Sequence, residues 1–345
     1  MKMTRRAALA ALGATSFGLA TARATGDDEQ QLYDAAKKEG HLTWYSGTYN
    51  QPIVNSMGAA FTAKYPGIRV DGTKTTSEVA FQRVMQDING GAVQSDVFTT
   101  TDASHMTYLI GKDKLVKYTP PDAAGLVPAL RDFNGGGYYY PSWVGLVAIM
   151  YNSKHVTAAE SPKDWPDLTD PKWKNKIAFG SPNYSGLVAV WTVGMTEKYG
   201  WDYFERLNKL NPLIGRSIDD AVAMLNSGER QVAICSPASA FRSAAAGNPL
   251  VVNYATSFSL ADLSPSAAIK GSRSPNAAKL FLNFMCGKEF SAILAKNFEQ
   301  PLRPDVPPPQ GAKSLSQLTL FQPSLKNIET QLPGLKSKWR DTFGT

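Results

Sequence analysis

The sequence predicts an α/β protein of two compact units, each a doubly wound, mostly parallel sheet. Helical and strand-like stretches alternate along most of the chain, which is the rhythm of βαβ units. A length of 345 residues exceeds what one hydrophobic core ordinarily supports, so two cores are expected. Hydrophobic residues make up 43% and charged residues 19%, enough apolar surface to fill those cores without disulfide staples.

The elements follow in order. Residues 28–39 have helical composition and stop at Gly40. Leu42-Thr43-Trp44-Tyr45-Ser46 is the first strand. Ile53, Met57, Ala60, Phe61 and Tyr65 recur at helical spacing, and Pro66-Gly67 closes that helix. Ile68-Arg69-Val70 opens the second strand. Thr75 and Glu78 read as a capping box ahead of Val79, Phe81, Val84, Met85 and Ile88, with Gly90-Gly91 as the stop. Asp96-Val97-Phe98-Thr99 is the third strand and residues 103–110 the third helix.

A second block begins with a β-prone stretch at residues 138–151, interrupted at Pro141. Residues 165–173 are irregular. Ile177-Ala178-Phe179 is a strand, and residues 185–198 and 201–210 are helices. Ser217 and Asp220 form a second capping-box pattern before Ala221, Val222, Met224 and Leu225. Residues 231–235 and 250–254 are strands on either side of a helix at 239–246. The rhythm breaks at residues 257–266. Ser274 as N-cap with Pro275 behind it starts a long helical region through Leu280, Phe284 and Phe290. Residues 301–309, rich in Pro, read as a surface strap. Residues 325–343 are expected as a terminal helix with Ile328, Leu332, Leu335 and Trp339 packing inward.

The N-terminus reads as an export signal. Lys2, Arg5 and Arg6 form a basic head, residues 7–22 carry no charge, and Ala22-Arg23-Ala24 is a small-x-small cleavage site. The uncharged run is too short and too rich in Ala and Gly for a membrane span. Thr4-Arg5-Arg6 with Leu9 resembles a twin-arginine signal; an ordinary Sec signal and an amphipathic helix are the alternatives. The mature chain is expected to begin near Thr25, outside the cytoplasm. Loss of Lys2, Arg5, Arg6 and Arg23 lowers the formal charge by four, from +7 to +3. The remaining basic residues are scattered and no Lys/Arg run pairs with aromatics, so nucleic acid is not an expected partner. Cys235 and Cys286 sit in apolar contexts and are expected as buried free thiols, a disulfide being the alternative. His41, His105 and His155 share no metal-ligand spacing.

Several stretches together carry a resemblance. They are Leu42-Thr43-Trp44-Tyr45-Ser46, Ser95-Asp96-Val97-Phe98, residues 145–152, residues 164–176 (Asp164-Trp165-Pro166-Asp167-Leu168-Thr169-Asp170-Pro171 and onward) and residues 274–282. Their order and spacing resemble the extracellular solute-binding proteins of ABC importers, in the branch that includes the ferric-ion-binding proteins. The resemblance implies the type II periplasmic-binding-protein fold: two α/β lobes joined by crossover strands, one ligand in the cleft between them, closure by a hinge and docking of the closed form on a membrane permease. It divides the chain into a signal peptide (1–24), a first lobe (25–140), a second lobe (141–257) and a return to the first lobe with the C-terminal helices (258–345). A periplasmic monomer is the expected state.

Ligands of such sheets gather beyond the carboxyl ends of the strands. The loops there supply Ser46, Thr48, Tyr49, Ser77 and Asp102 in the first lobe, and Ser181, Tyr184, Ser185, Arg216, Ser217 and Ser236 in the second. Hydroxyls, bare backbone N–H groups and helix N-termini favour anions; simple helix capping is the competing role for the serines. Arg216 is a candidate clamp on a carboxylate or phosphoryl group, a solvated surface arginine being the alternative, with Arg242 a lesser candidate. Tyr49, Tyr184 and Trp143 are candidates for apolar walls, a place in the core being the alternative for each. Ferric-binding relatives hold the metal with a Tyr-Tyr pair, which the resemblance places at Ala238 and Ser239, and some add His-Tyr at Thr48 and Tyr49. Most of those oxygen donors are missing. The expected ligand is therefore a small organic anion: a phosphonate, a phosphate ester or a carboxylate. No catalytic residue, metal or cofactor is expected. The alternatives are a ferric-iron or iron-chelate binder, a ligand-sensing receptor subunit, and an enzyme using Glu78 and Asp102 as an acid pair.

Overall fold

The computed structural model describes the chain from residue 16, with side chains from residue 28. Residues 1–15, most of the expected export signal, lie outside the described residues. Helix α1 (Ser16–Glu39) runs unbroken past Ala24 and stops at Gly40, whose φ of +71° is the left-handed geometry that ends helices.

The first lobe then builds β1 (His41–Ser46), α2 (Gln51–Lys64), β2 (Arg69–Lys74), α3 (Ser77–Asn89), β3 (Val97–Thr99) and α4 (Ser104–Gly111). β1 lies between β2 and β3 and runs parallel to both, so all three strands end on the same edge. A short helix, α5 (Pro128–Arg131), precedes the long strand β4 (Tyr140–Asn152). The second lobe holds β5 (Ile177–Phe179), α6 (Gly186–Tyr199), α7 (Asp202–Asn208), β6 (Leu213–Ile214), α8 (Ile218–Asn226), β7 (Val232–Cys235), α9 (Pro237–Ala245) and β8 (Leu250–Asn253). Here β5 is the parallel centre, between β6 and β7. The chain closes with β9 (Ser259–Ala268), α10 (Pro275–Cys286), α11 (Lys288–Lys296), β10 (Leu320–Phe321) and α12 (Leu325–Phe343).

Two strands join the lobes. β4 pairs with β9 along residues 140–147 and with β7 and β8 along 148–152, while β9 pairs back to β3. These pairings are antiparallel, so each sheet is a parallel trio extended by crossover strands. Pro141 lies at a register shift in β4, where a residue without an N–H costs the ladder least.

β9 corrects the expected break at 257–266. All ten of its residues are buried, although Ser, Ala, Asp and Pro have weak strand preference. The strand forms because β3 and β4 take both its edges. Other corrections concern helix ends. Thr76, not Thr75, caps α3, accepting the N–H of Val79 at 3.3 Å. The Ser274 hydroxyl makes no cap; the Glu39 carboxylate reaches over from α1 and accepts the N–H groups of Asn276 and Ala277 at 3.1 and 2.8 Å. The long helical region splits at Gly287 into α10 and α11, and α9 starts at Pro237.

Each lobe has its own core. Trp44, Phe61, Phe281, Phe284 and Phe290 centre the first, and Trp165, Phe179, Trp191, Phe204 and Trp339 the second. Helix α12 packs on the second, where Trp339 meets Phe204 and Phe179 at 5.6 and 5.7 Å between ring centroids. Cys235 and Cys286 are free and buried in separate cores, as expected.

Candidate functional site

The parallel strands of both lobes end at the cleft, and the crossover strands form its floor. On the first lobe three loops are tied together at Ser77. Its hydroxyl accepts the N–H of Thr101 at 2.9 Å and lies 2.9 Å from the Thr101 hydroxyl. It also donates to the Gly47 carbonyl at 3.3 Å. Any side chain at Gly47 would run into Ser77, so glycine is what lets these loops meet. Ser77 is thus a bracing residue. The hydroxyls of Ser46 and Thr48 are buried here without a hydrogen-bond partner.

Lys74, at the end of β2, was missed by the sequence reading. Its ammonium donates to the carbonyls of Thr75 and Gly47 at 2.7 and 3.2 Å, and burial pulls its pKa down. Its position as the last residue of a strand facing the cleft was the available signal.

Of the two expectations for Tyr49, the structure has the core position. It is 3% exposed, packs edge-on against Trp44 and Phe290, and donates its hydroxyl to the Ser142 carbonyl. Burial pushes its phenol well up, away from the phenolate a ferric ion requires. Glu78 and Asp102 do come together, but around His105, whose Nε2 lies 3.4 and 3.8 Å from their carboxylates. Burial among Phe81 and Phe98 nevertheless pulls the His105 pKa down.

On the second lobe, the serines divide. Ser185 caps α6, accepting from the Val188 N–H at 3.4 Å. Ser217 caps α8 in a reciprocal box with Asp220, whose carboxylate is held below the usual range by the Ser217 and Arg216 N–H groups. Ser181 is buried and accepts from the Asn183 N–H at 3.3 Å. Ser236 precedes α9 without a side-chain cap bond. Tyr184 is exposed, and the Arg216 guanidinium stacks over its ring at 4.9 Å. Neither Lys74 nor Arg216 forms an ion pair among the described residues.

Trp143 and Arg242 meet elsewhere in the cleft. Both reach Glu299: the indole N–H donates to Oε2 at 3.0 Å and the guanidinium to Oε1 at 3.2 Å. Between α4, α6, β9 and α12 lies a cavity of about 510 Å³, lined in part by Thr101, Asp102, Ser104, Gly186 and Asp262. The sequence reading did not single out Asp262. Its only signal was being the one charged residue in the neutral run 259–268.

This arrangement of two lobes and two crossover strands agrees with the fold of the solved structures it resembles. A family model described as bacterial extracellular solute-binding protein matches residues 94–323. The chain belongs to that family. It is therefore an extracellular solute binder, in agreement with the periplasmic expectation. A Salmonella typhimurium protein provisionally named as 2-aminoethylphosphonate-binding and periplasmic is 24% identical over 360 residues, covering 98% of both chains. The iron-bound HitA of Pseudomonas aeruginosa superposes with a TM-score of 0.72 at 22% identity, over 88% of this chain and 99% of its own. AfuA of Actinobacillus pleuropneumoniae, with fructose-6-phosphate bound, gives 0.71 at 21% identity over the same shares. These two fix the type II fold. Among the described residues no helix is long and apolar enough to cross a membrane.

Proposed function

We propose that this chain is the periplasmic substrate-binding component of an ABC importer and that its solute is a small organic anion, a phosphonate or phosphate ester before a carboxylate. The observation that carries this reading is that each lobe offers a cation without an ion pair among the described residues at a strand-end loop: Lys74, in register with Ser46 and its partnerless hydroxyl, on the first, and Arg216, just before α8, on the second. An anion bridging them acquires charge-assisted bonds from both sides only when the lobes are closed, and that difference drives closure. The relative named for 2-aminoethylphosphonate and the neighbour holding a sugar phosphate point to the same ligand chemistry. Direct ferric binding is disfavoured: Ala238 and Ser239 stand where a tyrosine pair would, Ser239 donates to Asp219, and Tyr49 is spent on Ser142. The solute leaves unaltered, handed to a membrane permease by the closed form.

Calorimetry with phosphonates, sugar phosphates, carboxylates and ferric citrate tests this. A phosphonate or phosphate ester is expected to bind, and Arg216→Ala to weaken it by about 1.5–3 kcal/mol, the scale of a charged hydrogen bond. An unchanged affinity removes Arg216 from the site. Binding of ferric citrate alone, with a visible charge-transfer colour, would replace the organic anion with iron.

A further inference from the structure

We propose that Asp262 receives a positively charged nitrogen of the captured solute, so that the solute is an anion bearing an amine. This rests on the organic-anion reading above and adds the other end of the molecule.

Asp262 stands on the crossover strand β9, opposite Gly145 of β4, at the floor of the 510 Å³ cavity. It is 6% exposed, and its carboxyl accepts no hydrogen bond among the described residues. Buried polar groups are almost always partnered, and a buried carboxylate left alone is far costlier than most. A group aimed into a cavity without a protein partner is free to take one from a ligand. The charged groups facing it are Asp102, at the mouth of α4, and Glu329 and Lys336, from α12. Three carboxyls stand against one ammonium, and Lys336 forms no ion pair among the described residues. The cavity is therefore short of positive charge. Its remaining walls include Ala189, Val190 and Leu263, which suit a short alkyl chain. No group of His, Cys, Asp and Glu able to hold a metal ion is found among the described residues, and the volume is far larger than one ion, so an organic ammonium fits better than a metal. Burial and Asp102 push the Asp262 carboxyl up to about 7. An arriving ammonium shifts it to the ionised form, and binding becomes sensitive to pH near neutrality.

The test compares 2-aminoethylphosphonate with ethylphosphonate by calorimetry on the mature chain. The ammonium lowers the second phosphonate pKa, so each probe's affinity is referred to its own dianion, with that pKa measured separately, and the ratio then isolates the amine. The wild-type protein is expected to prefer the amine at least tenfold at pH 8, and the preference to shrink at pH 6 as Asp262 takes up its proton. Asp262→Asn is expected to erase the preference by weakening 2-aminoethylphosphonate and not ethylphosphonate, with circular dichroism to verify folding. If that variant does not fold, the two wild-type pH arms decide. Equal wild-type affinities at pH 8, or a preference that grows at pH 6, overturn this inference alone. Wild-type protein that binds neither probe overturns the phosphonate reading and this inference with it.

Discussion

A carboxyl moved from water to the floor of a cleft loses hydration that only a partner can restore. Asp262 has none in the unliganded chain, so it holds its proton instead, with a pKa of about 7 against roughly 4 in the unfolded chain. The direction of the stability effect follows. A raised folded-state value means that stability is fully present below roughly pH 4 and is lost as pH rises through about 7. The loss across that window is on the order of 4 kcal/mol. Asp262→Asn keeps the shape and cannot ionise. Scanning calorimetry without ligand is therefore expected to show the variant melting well above the wild type at pH 8 and close to it at pH 4.5. A gap of equal size at both pH values would mean that the carboxyl is already neutralised by a group of the protein. Function is bought here with stability: the same desolvation that weakens the empty protein strengthens the grip on an ammonium.

At the level of elements, the caps separate what local sequence decides from what the fold decides. Thr75 and Thr76 are adjacent and chemically alike, yet only Thr76 has the extended backbone and the hydroxyl bonded to the N–H of Val79. Thr76→Ala is expected to cost about 1 kcal/mol in chemical denaturation and Thr75→Ala much less. Equal costs would show that the α3 cap is not what Thr76 contributes. The second box, Ser217 with Asp220, was legible because both partners lie within one turn. The α10 start was not, because its cap is Glu39, more than two hundred residues earlier. β9 fails for the same reason at larger scale: its neighbours β3 and β4 are distant in sequence, and no alternation of its own announces it. The site divides along this line. As candidates, Arg216 and the loop hydroxyls follow from strand ends. Asp262 becomes a site residue only when β9 is laid across the cleft, and Tyr49 becomes a core residue only when Trp44 and Phe290 close on it.

For the whole molecule, the question is what holds the lobes at their mutual angle when no solute bridges them. Arg242 comes from α9 of the second lobe and Glu299 from the segment after α11, which packs with the first. Their 3.2 Å bond crosses the cleft, and the Arg242 guanidinium also reaches the Asn297 carbonyl at 3.4 Å. Burial raises the Glu299 pKa, while the Trp143 N–H and Arg242 favour its ionised form. Arg242 is 45% exposed, so solvent screening limits the pair to about 1 kcal/mol or less. That is still enough to move a two-state equilibrium by about fivefold. Arg242→Ala is expected to enlarge the radius of gyration of the unliganded protein in solution scattering and to weaken every ligand by the same factor. Its discrimination between amine-bearing and amine-free phosphonates should stay as in the wild type, because Asp262 is untouched. An unchanged radius together with unchanged affinities would reduce the pair to a rim contact. A change in discrimination would instead place Arg242 against the ligand itself, as one of the groups that choose between the two phosphonates.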